Sequence, residues 1–544
     1  MTETAFNLVD EPWIRVLQPD GTAAEVSLRD VLLRAHTFAD LGGELPTQNI
    51  AVLRLLLAVL HTVFSRMDET GAQAPLEEPD DAIERWAALW SRGALPEAPI
   101  MQYLEQWYER FWLFHPTRPF GQSRTAQQGT QCSAAKLIGE LSESGNKLRL
   151  FSSRTGEGKA GISYAEAARW LLYLNGFDDA ALKPHIPKEQ REGKIALAWL
   201  GQLGFVYAKG NNLFETLLLN LVLLRPDHTL WGENRPAWER ETPRSEELRV
   251  IPLPDNQAEL LTLQSRLIWL NREGEAVTGY GILCGDSFDP TNAFAEQMTA
   301  WKKVEKKNTP VYYEPRPHEP GRQMWRDFSN IFMPAPSAAG FNQVPGVVRW
   351  VAALQQNHFL TKKRYMQFAT VCNRYDSSQK SAVTDVLGDA LTMQTALLDE
   401  LGVPWQKRIA EEIAKCDAVA QEIGILAGRI FIAGGGDSEE EKQIRRAAQE
   451  KWYERIDEPF RRWLYAIDPE TDTVDGERLT EWITAARRLA LQLGQEYMEH
   501  AGTNALFGRK IVDKNGKKQL YAASRAYSWF RKRAYEIYQG SDEK

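Results

Sequence analysis

Ile50–Phe64 reads IAVLRLLLAVLHTVF. Apolar side chains fill almost every position apart from Arg54 and His61, so no face of a helix here is polar enough for solvent. A helix apolar all round belongs at the centre of a domain, and this one is expected to form the buried core of the first. His61 is read as a core or edge histidine rather than a ligand.

Toward the amino terminus, Phe6–Val16 (FNLVDEPWIRV) and Ala23–Leu28 flank Pro19-Asp20-Gly21, a turn signal that predicts a hairpin. Ser27 stands where it can cap a helix over SLRDVLLRAH. On the other side, Tyr103–Phe114 predicts an aromatic-rich helix that ends at the stretch HPTRPFGQ, residues 115–122. Further on, Tyr164–Gly176 predicts an amphipathic helix, Asp178–Gly193 a polar insertion, and Leu213–Leu224 another helix. Leu260–Leu270 and Val277–Leu283, around Arg272-Glu273-Gly274, predict a second hairpin.

Between these elements lies a long polar loop, Leu141–Gly161, LSESGNKLRLFSSRTGEGKAG. Arg149, Arg154 and Lys159 supply charge around Phe151, on a backbone loosened by glycine. Cations that meet phosphates and a ring that stacks on a base are what a nucleic-acid strand requires; a solvated loop with Phe151 tucked into the core is the alternative. In Lys194–Gly210 the glycines Gly201 and Gly204 interrupt an apolar run, marking either a turn or a close approach of another chain. Met366–Val383 predicts two strands joined at a polar tip that holds Ser378, Gln379 and Lys380. A glutamine at such a tip can pair with a base edge.

From about residue 384 glycine and proline thin out and long helical patterns follow, at 385–433, 438–467, 477–500 and 520–538. These read as a four-helix bundle. Its end is basic: Arg509, Lys510, Lys514, Lys517, Lys518, Arg525, Arg531, Lys532 and Arg533 face only Asp513 between residues 509 and 533. A phosphate or an acidic partner is the expected neighbour of Lys517, Lys518, Arg525, Arg531 and Lys532.

The whole chain sets the limits. Its 544 residues exceed what one core sustains, so at least two domains are expected. The net charge of -8 argues against a generally basic nucleic-acid coat and leaves room for local patches. Cys132, Cys284, Cys372 and Cys416 stand far apart, which suggests neither a zinc site nor a disulfide framework. A basic-then-apolar leader and an uninterrupted run of 18 apolar residues are both lacking, and a cytoplasmic protein without membrane attachment is expected. GxxxxGK[ST], HExxH and GxSxG patterns are absent too, so binding rather than turnover is the expectation.

NLVDEPWIRV, the Leu53–Phe64 helix, HPTRPFGQ, LLTLQSRLIWL, MWRDFSN, the Gln-tipped hairpin and the terminal bundle occur in one order along the chain. In that order the chain resembles the CasA-type large subunits of type I-E CRISPR Cascade complexes over essentially its whole length. The resemblance implies a non-catalytic subunit at the 5′ handle of the CRISPR RNA, beside the backbone and small Cascade subunits. Such a subunit reads the protospacer-adjacent motif of double-stranded DNA from the minor groove, begins strand separation and R-loop formation, and recruits a helicase-nuclease. It also implies that Phe151 meets the handle end and nearby DNA, that the Gly201–Gly204 backbone approaches the groove, and that Gln379 is a wedge between Ser378 and Lys380.

This chain departs from the family in two respects. It lacks the paired cysteines that suit zinc in some relatives, so no metal and no cofactor are expected. It also has no counterpart to a lysine finger in Thr278–Cys284, which leaves Lys302 and Lys303 as candidates. The expected fold class is α+β, a mixed α/β domain over residues 1–383 and a four-helix bundle over 384–544. The rival reading is a cytosolic enzyme acting on a phosphate-bearing substrate, with the glycine-rich loop closing over phosphates.

Overall fold

Strand β1 (Ala5–Asn7) leads into the first hairpin, where β2 (Ile14–Leu17) pairs antiparallel with β3 (Ala23–Val26). The turn between them closes as its residue types dictate, with Gly21 at φ +84° and Asp20 accepting from the Thr22 amide and hydroxyl. Ser27 accepts a hydrogen bond from the Asp30 amide and so starts helix α1 (Leu28–Leu33).

The computed structural model of the chain describes residues 4–143, 152, 154–181, 183, 196–333, 344–361, 364–378, 380–512 and 518–539. Two compact units make it up. The first comprises Met1–His318, Pro334–Ala353 and Gln367–Ala390; the second comprises Glu319–Met333, Leu354–Met366 and Leu391–Lys544.

Helix α2 (Pro46–Arg66) is the centre of the first unit, buried from Ile50 to Phe64. By length and composition it could cross a membrane, but 94% of its most apolar window is buried inside the protein. Arg54 is tolerated there because Nη1 meets Glu296 at 2.9 Å and Nη2 donates to the Leu260 carbonyl at 3.3 Å. Against α2 packs helix α4 (Tyr164–Phe177), capped by Ser163.

The aromatic stretch Tyr103–Phe114 is not one helix. Helix α3 (Glu97–Gln106) stops, a single 3-10 turn follows at Tyr108–Arg110, and Trp112–Phe114 becomes strand β4. Pairing with β1, Ala5 opposite Phe114, overrides the local helical pattern.

Two further three-stranded sheets belong to this unit. Strand β5 (Thr130–Ser133) lies beside β8 (Ala276–Cys284), which forms the expected hairpin with β7 (Arg266–Glu273) around Gly274. Strand β6 (Phe205–Lys209) pairs with β9 (Tyr365–Tyr375), Phe368 opposite Ala208, and β9 in turn carries β10 (Val383–Gln394).

That last strand corrects the helical reading of residues 385–433. Val383–Gln394 is strand, and helix begins only at Val403. A hairpin partner already in place at β9 outweighs the helical spacing of Leu387, Ala390 and Leu391.

The second unit is built on α5 (Val403–Gly434), α6 (Ser438–Ala466), α7 (Glu477–Glu499) and α8 (Ala523–Ile537). Tryptophans hold it. Trp452 Nε1 donates to the Cys416 carbonyl at 3.0 Å, Trp482 Nε1 donates to buried Glu412 at 3.0 Å, and Trp463 stacks on Trp482. Trp325 stacks on Phe460 and donates to Asp457, which explains why Glu319–Met333 joins this unit.

Candidate nucleic-acid interface

The hairpin tip between β9 and β10 is organised by one carboxylate. Asp376 Oδ1 accepts from the Ser378 amide and hydroxyl at 3.2 and 2.7 Å. Its Oδ2 accepts from the Ser381 amide at 2.6 Å, the Ser381 hydroxyl at 3.2 Å and the Ala382 amide at 3.0 Å. Ser378 and Lys380 are exposed; Gln379, between them, lies outside the described residues. Lys380 takes φ +53°, a conformation a Cβ disfavours, and is held there by its amide on the Asp376 carbonyl and its carbonyl on the Ala180 amide.

Both glycines of the 194–210 stretch are buried and packed against protein. A Cβ on Gly201 would stand 2.5 Å from Tyr375 Oη, and one on Gly204 would stand 2.1 Å from the Arg316 carbonyl oxygen. Tyr375 is the last residue of β9, so Gly201 lies directly beneath the base of the tip. Its hydroxyl donates to the Phe177 carbonyl at 2.6 Å, and Asn373 Nδ2 donates to the Tyr173 hydroxyl at 2.9 Å.

Arg149 and Phe151 of the long loop lie outside the described residues. The two cations that are described have carboxylate partners: Arg154 meets Glu140 at 3.0 Å and Glu166 at 2.6 Å, and Lys159 meets buried Glu143 at 2.8 Å. Arg154 and Lys159 therefore anchor the loop's ends rather than stand free for phosphate. Lys303 pairs with Glu305 at 2.6 Å, while Lys302 is exposed on the strand Trp301–Val304.

Beside these ends sits a buried charge cluster. Arg266 Nε meets Asp178 Oδ2 at 2.5 Å, and its Nη2 donates to the carbonyls of Asp179 and Ala196 at 3.1 and 2.8 Å. Lys183 meets Asp178 at 2.7 Å, and Lys136 meets Asp179 at 2.6 Å. Burial alone would push the Asp178 carboxyl up, but Lys183 and Arg266 outweigh it and hold the group below the ordinary carboxylate range.

On α8 of the second unit, Arg525, Arg531 and Lys532 are exposed beside Trp529, itself 55% exposed. Arg429 lies over the Trp529 ring, 5.8 Å from its centroid. Lys517 lies outside the described residues, and Lys518 begins the short strand Lys518–Tyr521. Among the described residues no group of three or more His, Cys, Asp or Glu side chains stands together as a metal site.

The family model described as CRISPR-associated protein Cse1 matches residues 7–493. The chain belongs to the Cse1 family. A Thermus thermophilus protein described as CRISPR-associated protein CasA/Cse1 is 30% identical over 514 residues, covering 92% of this chain and 94% of the relative. The crystal structure of Thermobifida fusca Cse1 superposes with a TM-score of 0.81 at 29% identity, over 99% of both chains. A chain from a structure named CRISPR RNA-guided surveillance complex matches the fold with a TM-score of 0.70 at 16% identity, over 98% of this chain and all of that one.

In this Cse1 chain the glycine segment, the hairpin tip and the Asp178–Lys183 segment are brought together through Tyr375, Lys380 and Arg266. Sequence reasoning missed the two residues that organise them. Asp376 was legible as the first residue of Asp-Ser-Ser, a sequence that favours a side-chain-capped turn. Arg266 carried no local signal, because its partners Asp178, Asp179 and Ala196 lie 70 to 88 residues away in the chain.

Proposed function

We propose that this Cse1 chain is the large subunit of a cytoplasmic CRISPR RNA-guided surveillance complex, a binding subunit whose nuclease is a separate protein. Within the complex it meets the 5′ handle of the CRISPR RNA and the backbone and small subunits. It recognises the protospacer-adjacent motif of double-stranded DNA from the minor groove, starts strand separation and R-loop formation, and recruits the helicase-nuclease.

One observation carries the DNA part of this reading: Gln379 is flanked by exposed Ser378 and Lys380 on a tip that the Asp376 carboxylate and the Ala180 amide hold in place. A wedge between base pairs must be stiff, because a tip that yields transmits no force to the stack. Asp376 supports that stiffness. Arg154 and Lys159, with carboxylates of their own, support the loop's ends, which leaves Arg149 and Phe151 as the loop's candidates for contact with nucleic acid.

The test uses the reconstituted guide-RNA complex, with and without this chain, in gel shifts on duplexes randomised beside the target. Motif-dependent binding only when the chain is present is the expected result; binding indifferent to the chain refutes the reading. Each base-pair step opened costs about 1.4 kcal/mol, so Gln379→Ala should weaken duplex binding and spare a target whose motif-proximal pairs are already unpaired. Equal loss on both substrates would rule out the wedge.

A further inference from the structure

The stretch HPTRPFGQ has no part in the hairpin, the loop or the bundle, yet it builds the wall of a cavity in the first unit. His115 Nδ1 accepts from the amides of Thr117 and Arg118 at 3.2 and 3.0 Å, and Gly121 takes φ +63°. The chain thereby turns so that residues 118–122 line a cavity of about 110 Å³. Residues 260–265, the start of LLTLQSRLIWL, line it as well.

Four arginines line this space, Arg54, Arg110, Arg118 and Arg240. Two of them have partners. Arg54 reaches Glu296, although its buried Nε has no acceptor among the described residues, and Arg240 reaches Glu259 and Gln264, each at 3.4 Å. The side chains of Arg110 and Arg118 have no carboxylate and no hydrogen-bond acceptor among the described residues; Arg110 only lies over the Trp107 ring. Burial and then the charge of Arg118 lower the Arg110 pKa, so the neighbouring cation makes the charged form of Arg110 less favourable. A negative charge between them would remove that cost.

Flat apolar side chains form part of the remaining wall. Phe120 and Trp238 pack with ring centroids 6.0 Å apart, and Trp199 closes another side. Asn175 uses its Oδ1 to accept the Arg266 amide at 3.1 Å, and its Nδ2 has no acceptor among the described residues. An inorganic anion would use the arginines and leave the rings idle, whereas a nucleotide would use both.

We propose that this cavity binds a nucleoside phosphate, with the phosphate on Arg110 and Arg118 and the base against Phe120 and Trp238. The inference is independent of the duplex reading. The ligand chemistry is the same whether it arrives as a free mononucleotide or as the 5′-terminal nucleotide of a strand.

Calorimetric titration of the full chain tests it with AMP, adenosine, inorganic phosphate and a hexanucleotide with or without a 5′ phosphate. AMP is expected to bind saturably, with adenosine and phosphate at least tenfold weaker. Arg110→Gln and Arg118→Gln should each weaken AMP at least tenfold, while Arg462→Gln, in the second unit, leaves it unchanged. Neither arginine has an ion pair among the described residues, so both variants should keep the wild-type melting temperature; should one fail to fold, the other reads the result. Binding of the 5′-phosphorylated hexanucleotide but not of AMP, lost in Arg118→Gln and without the phosphate, would support the site and assign it to strand ends. No binding of either, adenosine binding as well as AMP, or indifference to both substitutions would overturn the proposal.

Discussion

Tyr375 Oη stands 2.5 Å from the point that a Cβ on Gly201 would occupy. The same hydroxyl donates to the Phe177 carbonyl at 2.6 Å, so the ring cannot swing away without leaving a buried acceptor unpaired. Gly201→Ala should therefore destabilise the chain by about 1–3 kcal/mol, the usual cost of overpacking a close contact. Urea unfolding measures it, and a double-mutant cycle with Tyr375→Phe should show coupling between the two sites. Additive effects would place the strain elsewhere.

Arg266→Met removes the cation from a carboxylate that is fully inside the protein and releases the Asp179 and Ala196 carbonyls. The expected loss is about 3–5 kcal/mol, the cost of breaking a buried pair from one side. Acid unfolding gives a second readout. In the wild type the depressed Asp178 pKa contributes stability that is full above the unfolded carboxylate value of 3.8 and is lost as pH falls through the lower folded value. In the variant the Asp178 pKa rises, so acid unfolding should begin at higher pH.

Asp376→Asn keeps one acceptor oxygen and turns the other into a donor that faces amide and hydroxyl donors of the tip. Loss of these bonds should cost about 1–3 kcal/mol locally. Hydrogen exchange should accelerate at the amides of Ser378, Ser381 and Ala382 and stay unchanged in α5–α8. Protection equal to wild type would show that the carboxylate does not hold the tip.

His61 is fully buried in α2, and burial lowers its pKa from 6.5 to about 3. The folded state keeps it neutral while the unfolded chain takes up a proton. Its contribution is therefore full above pH 6.5 and is lost as pH falls toward 3, by up to about 1.4 kcal/mol per pH unit. Urea midpoints measured from pH 7 to pH 5 should fall less in His61→Leu than in the wild type.

Local signals placed much of the fold. The Ser27 cap, the Asp20-Gly21 turn, the Gly274 hairpin and the buried helix through Arg54 and His61 follow from residue types within a few positions of one another. The readings failed where a distant strand chose the conformation. Trp112–Phe114 is a strand because Ala5–Asn7 pairs with it, and Val383–Gln394 is a strand because Tyr365–Tyr375 does.

The candidate site divides in the same way. Gly201, Gly204, Ser378, Lys380, Arg154 and Lys159 stood out by composition and spacing. Their surroundings did not: the Tyr375 ring over Gly201, the Arg316 carbonyl under Gly204, and the carboxylates of Glu140, Glu143 and Glu166.

The sequence by itself determined the family, the buried helix, most turns and the residue types at the tip, because each of these depends on neighbours along the chain. Only the tertiary structure decided that Arg266 clamps Asp178, Asp179 and Ala196. It alone also turned HPTRPFGQ into a cavity wall and gave two loop cations their carboxylates. Charge pairing and cavity shape act through space at a few ångströms, across separations in sequence that no local pattern records.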